Sequence, residues 1–198
     1  MNRCLVILGL IAAVAMQVGA QSETWQLDPA HSAAQFSVQH MGISTVRGAF
    51  AKLSGTIQYD PSDVTKSSLD VSIDAASVDS RVEMRDKDLR SDHFLDVQKY
   101  PAITFKSKRV EAEGSDKLRV SGDLTIHGVT KDVVLEVTGP SKPMKDPRGK
   151  MHMGAEATTT INRMDFGMTG YQGMVGNDVS IILDVEMVKP ASAPPATQ

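Results

Sequence analysis

The sequence predicts an all-β protein of about eight antiparallel strands with one short surface helix. Two observations carry this. Long stretches alternate apolar and polar residues: Leu118, Val120, Gly122, Leu124 and Ile126 share one parity, and Lys117, Arg119, Ser121, Asp123 and Thr125 take the other. Period two over that length means a strand with one dry and one wet face. Turn signals also recur at short spacing. His127-Gly128-Val129-Thr130 folds the next apolar run, Val133 to Val137, back as a hairpin partner. With Tyr100 to Phe105 this makes a three-strand meander, and the same pattern recurs on both sides of it.

Taken in order, Trp25 to Pro29 opens as a short extended segment closed by a turn. Ala34, Phe36, Val38 and His40 share a face of the first long strand, and Met41 to Gly48 reads as a loop or distorted turn. Leu53, Gly55, Ile57 and Tyr59 mark a strand that stops at Asp60-Pro61; Leu69, Val71, Ile73 and Ala75 mark another. Ser80 and Glu83 have capping-box spacing, which predicts a helix start. The helix that follows is highly charged, so it lies on the surface, anchored by Val82, Met84 and Leu89. Phe94 is expected to plug the connection from beneath. Pro140 to Gly149 holds three prolines and reads as loop. Ala155, Ala157, Thr159 and Ile161 suggest a strand of small residues. Glycines at 167, 170, 173 and 176 predict a mobile loop, and Val179 to Met187 the last strand.

Composition bounds the function. Residues 1–20 carry one charge, Arg3, then an apolar run from Leu5 to Met16 and small residues before Gln21, the pattern of a secretory signal peptide. The one cysteine, Cys4, falls inside it, so the domain expected over 21–189 must hold together without disulfides. Residues 190–198 form an Ala/Pro-rich tail expected to be disordered. Past the signal, 20 basic residues face 24 acidic ones, which argues against a nucleic-acid partner or a polybasic membrane patch. The apolar run is too short for a good membrane span. The expected location is the periplasm, or the outside of a cell that lacks an outer membrane.

Eight antiparallel strands can close into a barrel or pack as a two-sheet sandwich. Alternation alone favours neither. Ala34, Gly55, Ala75, Gly122, Ala155 and Ala157 on the dry face are small, and small inward residues leave a lumen open.

These segments together resemble the YceI-like family of exported polyisoprenoid-binding proteins. The likeness runs from about Trp25 to Val188. It is carried by Asp28-Pro29-Ala30-His31-Ser32, by Phe36 to Gly48, by Asp96 to Pro101, by Ile103 to Ser107, by Gly122 to Thr130 and by Ala157 to Gly167. The resemblance implies a lipocalin-like antiparallel barrel whose apolar cavity takes an isoprenoid, quinone or comparable amphiphilic lipid, with no catalytic activity and no other cofactor. One departure stands out: the Gly167–Gly176 segment, with Met168 and Met174, looks longer and softer than the family's.

Lipid binding needs a dry channel and a few polar groups at one end. The candidate lining is Phe36 and Val38, Leu53 and Ile57, Val71 and Ile73, Ile103 and Phe105, Leu124 and Ile126, and Ile181. His40 shares parity with Phe36 and Val38, and is expected to point inward near a barrel end to meet a polar head. His127, of opposite parity to Ile126, is expected to point outward. A tail that protrudes from the barrel favours a homodimer that covers it. Two other readings stay open: an interaction module with a filled barrel and an apolar patch outside, and a copper-handling protein using Met144, Met151, His152, Met153, Met164, Met168 and Met174. No Gly-x-Ser-x-Gly, phosphate-binding loop or His-Glu-x-x-His motif supports an enzyme. Asp86, Asp88, Asp92, Asp96 and His93 read as a solvated charged surface.

Overall fold

The computed structural model describes residues 22–190; the signal-peptide expectation and all but the first residue of the tail lie outside this range. Twelve strands are present: β1 (Glu23–Leu27), β2 (Ala33–His40), β3 (Ser44–Phe50), β4 (Leu53–Tyr59), β5 (Ser68–Asp74), β6 (Val78–Asp79), β7 (Ala102–Ala112), β8 (Lys117–Ile126), β9 (Val129–Thr138), β10 (Met144–Lys145), β11 (Met151–Asn162) and β12 (Val175–Val188). One helix, α1 (Glu83–Leu89), lies between β6 and β7.

The strands form a closed antiparallel barrel. The order β11-β9-β8-β7-β5-β4-β1-β12 returns to its start through the long β11–β12 ladder, giving eight strands. β12 carries two partners along one edge, with β2 on Val175 and on Val179 to Asp184 and β1 on Met187 and Val188. The turn between β1 and β2 marks that seam, and β2, β3 and β6 continue from it as a flap.

The meander follows the alternation. On β8, Val120, Gly122, Leu124 and Ile126 are buried while Lys117 and Arg119 are exposed. Two glycines on inward parity make room for aromatic rings from the neighbouring strand. Gly48 faces Phe36 across the β2–β3 ladder, and a Cβ there would lie 2.4 Å from the Phe36 ring. Gly122 is tighter, because a Cβ would lie 2.4 Å from the Lys106 carbonyl oxygen and 2.7 Å from the Phe105 ring. A methyl at Gly122 must push backbone as well as ring. Gly122→Ala is therefore expected to destabilise the barrel by about 1–3 kcal/mol, read as a lower urea midpoint; an unchanged midpoint would contradict this packing.

Four local expectations need correction. Met41 to Gly48 is not a loop: residues 41–43 turn, and the rest enters β3. Gly48 interrupts the apolar parity of Val46 and Phe50, which hides the strand. The helix start is not a capping box, since the N-cap position is Val82 and has no side-chain cap. Ser80 instead donates its amide at 2.7 Å and its hydroxyl at 2.5 Å to Asp86 Oδ1, and Arg85 Nε donates to Ser80 Oγ. Asp86 is consequently buried, 7% exposed, and not part of a solvated acidic face. Val82 and Met84 do not anchor the helix; both are exposed, Met84 at 83%, and Leu89 alone of the three packs on the core.

Candidate functional site

The barrel interior is hollow. Its strands enclose a cavity of about 270 Å³ whose accessible wall is apolar throughout. The volume lies just under the range usual for small-molecule sites, about 300–1,000 Å³. The residues of β12 show how the wall is made. Val179, Ile181, Leu183 and Val185 point inward yet are only half-buried, whereas Ser180, Ile182 and Asp184 face solvent. Inward side chains in mid-strand keep accessible surface because the space they face is unfilled.

Of the residues expected to line a lumen, Phe36 and Val38 from β2, Leu53 and Ile57 from β4, and Val71 and Ile73 from β5 all do so. Ile103 and Phe105 from β7, Leu124 and Ile126 from β8, and Ile181 from β12 complete the wall. His40 does not. Beyond the Val38–Val179 pair the ladder carries two extra residues on β12, so that His40 pairs with Val175. β2 itself stays regular, with His40 opposite Ser44 of β3, and His40, its last residue, is not on the cavity wall. His127 sits in a turn with φ of 51°, bonds the Phe166 carbonyl oxygen through Nδ1 at 3.1 Å, and packs edge-on to Tyr100. It fastens a loop and stands off the cavity.

One end of the barrel, where β11 finishes and β12 begins, is closed by Phe94, Leu95 and Met168, all buried and all on the cavity wall. A buried arginine organises this closure. Arg163 continues the inward parity of Ala157, Thr159 and Ile161, is 2% exposed, and is the one charged side chain on the wall among the described residues. Its guanidinium donates to the carbonyl oxygens of Met168, Gly170, Val175 and Gly176 and lies over the Phe94 ring. Burial pushes its pKa down from the ordinary arginine value. The Gly167–Gly176 segment is thus tied down where a loose loop was expected. Gly170 N–H also donates to His93 O, and Met41 N–H to Met174 O.

The same end exposes apolar side chains, with Ile43 81% exposed and Met41, Tyr171 and Met174 close to half exposed. The hollow interior counts against a filled barrel, while this patch keeps an interaction surface in view. The methionines diverge. Met151 and Met153 pack with Trp25, Met168 faces the cavity, and Met144 is exposed on β10, far along the fold from Met174.

Beside the closure, His93 Nδ1 lies 2.8 Å from Asp88 Oδ1, and Tyr171 packs edge-on to the imidazole. The hydrogen bond to Asp88 raises the His93 pKa above its ordinary value near 6.5. The contact therefore contributes stability that is fully present below the unfolded-state value and is lost as pH rises through the higher folded one. NMR titration is expected to show His93 deprotonating above about 6.5, and Asp88→Asn to bring it back down; an unshifted His93 in the parent protein would contradict the pairing.

Comparison with known proteins places this barrel. The family described as a YceI-like domain matches residues 25–187. A UPF0312 protein of Vibrio cholerae is 38% identical over 85% of this chain and 89% of its own length. The crystal structure of a Campylobacter jejuni YceI protein superposes with a TM-score of 0.69 at 33% identity, covering 77% of this chain and 90% of that one. A polyisoprenoid binding domain from Saccharophagus degradans shares the fold, with a TM-score of 0.60 at 19% identity over 84% of this chain and 98% of that one.

Proposed function

The chain belongs to the YceI-like family, and from that membership we propose that it binds a long-chain amphiphilic lipid, isoprenoid or quinone-like, by enclosing the tail in the barrel. The observation that carries the reading is an apolar, unfilled interior walled by residues of β2, β4, β5, β7, β8 and β12. Each buried methylene contributes about 0.8 kcal/mol, so a few isoprene units supply affinity without any directional bond. Burial of this kind discriminates weakly between tails of different chemistry. The Saccharophagus degradans domain supports the reading only in that a protein of this fold carries the description polyisoprenoid binding.

The wall supports a reading of binding without catalysis. Arg163, its one charged group, already spends its donors on four carbonyl oxygens, and no nucleophile–base pair faces the cavity among the described residues. The composition of residues 1–20 supports export. A protein that hides a water-insoluble tail suits storage or transport across an aqueous compartment such as the periplasm. Where a tail exceeds the barrel, a second copy of the chain would cover the excess.

Delipidated protein titrated with polyprenyl alcohols of increasing length tests this. We expect saturable one-to-one binding whose affinity climbs with each isoprene unit until the cavity is full, then levels. Affinity independent of chain length, or no binding, would contradict the reading.

A further inference from the structure

A second constellation lies on the outside of the barrel, at the seam. The β1–β2 turn carries Asp28 and His31, and β12 carries Glu186 on its outward parity. His31 Nδ1 is 2.9 Å from Asp28 Oδ2 and 3.9 Å from Glu186 Oε1. One donor atom from each of the three lies within 4.8 Å of the other two. A tetrahedral cation with bonds of about 2.0–2.1 Å sets its donors about 3.3 Å apart, and the two measured separations bracket that edge.

A second layer stands behind Glu186. His152 on β11 places Nδ1 2.7 Å from Glu186 Oε1. Its Nε2 is buried without a hydrogen-bond partner and faces Asp146 Oδ2 at 3.4 Å. Asp146 is itself held by the amides of Arg148 and Lys150. Carboxylates that ligate a metal are themselves held by hydrogen bonds from outer groups, and His152 supplies such a bond to Glu186. The other ligands are held as well. Ala30 N–H donates to Asp28 Oδ1, while the Asp28 and Glu186 backbones and the Ser32 hydroxyl fasten the turn to β12. His31 is 64% exposed, which leaves the trio open to an ion from solvent.

We propose that Asp28, His31 and Glu186 form a site for a divalent cation of the Zn²⁺ class, with His152 and Asp146 orienting Glu186. One imidazole nitrogen beside two carboxylates suits a borderline cation; Ca²⁺ and Mg²⁺ take oxygen ligands. Three carboxylates around two imidazoles also supply the negative surroundings that a dication neutralises. Bound there, the ion joins the β1–β2 turn to β12 where the strand partner of β12 changes from β2 to β1.

The test is calorimetric titration of the chelator-stripped, tag-free protein with Zn²⁺, paired with thermal melts. One equivalent is expected to bind and to raise the melting temperature. His31→Ala and Glu186→Gln should each abolish binding with the fold retained by circular dichroism. His152→Ala should weaken it about tenfold, and His93→Ala, away from the seam, should leave it unchanged. No saturable Zn²⁺ binding, binding that survives both His31→Ala and Glu186→Gln, or binding of Ca²⁺ in place of Zn²⁺ would overturn the proposal. None of these outcomes touches the lipid reading, which rests on the interior.

Discussion

Ile181→Trp is expected to abolish lipid loading while the barrel stays folded. Ile181 stands mid-strand on β12 between Phe36 of β2 and Thr159 of β11, and its inward side chain is half-buried because it faces the cavity. An indole there projects into unfilled space instead of into packed neighbours, so the cost to stability stays within the usual overpacking range of about 1–3 kcal/mol. The cost to binding is larger. Excluding a single five-carbon isoprene unit removes about 4 kcal/mol of burial, roughly a thousandfold in Kd. Ile126 is a poorer place for the same replacement: it is 5% exposed and has little room for a larger group. Lipid titration of folded Ile181→Trp reads the result, and undiminished affinity would show that the tail lies elsewhere.

Arg163→Met is expected to open the closed end of the barrel and to cost about 3–5 kcal/mol of stability. The carbonyl oxygens of Met168, Gly170, Val175 and Gly176 all rely on this guanidinium, and Phe94 packs beneath it. Each buried acceptor left unpaired costs about 1–3 kcal/mol, reduced where the loop can move out to water. Methionine keeps most of the volume, so the loss reports the hydrogen bonds. Denaturant melts give the magnitude, and hydrogen exchange should show lost protection across residues 167–176. Arg163→Lys should recover only part, because one ammonium cannot span four carbonyls. Full stability in Arg163→Met would mean that the segment is held by its own turns.

Much of this was legible in the sequence, for a physical reason. Strand period two converts directly into an inside and an outside, so Phe36, Ile57, Val71, Phe105 and Leu124 could be placed on the wall by parity alone. Parity gives the side a residue faces but not how far along the strand the cavity extends. His40 is the last residue of the regular strand β2 and is not on the wall, and nothing local in the sequence announces it. Gly48 breaks the pattern of β3 because the space of its missing side chain is filled by Phe36 from the next strand. Asp86 reads as solvated because Ser80, which bonds it, also has capping-box spacing to Glu83. Arg163 was readable: it continues the inward parity of Ile161, and a charge on a dry face asks for a partner. Its partners are backbone carbonyls, which carry no sequence signature. The trio at the seam joins Asp28 and His31 to Glu186 across most of the chain, and barrel closure alone brings them together.

Native mass spectrometry of the protein purified from its own compartment, with solvent extraction of whatever is bound, tests the central claim most directly. The account predicts one amphiphilic lipid per chain with a long apolar tail, present in the parent protein and missing from folded Ile181→Trp. A parent protein that emerges empty and takes up no added isoprenoid or quinone would contradict it.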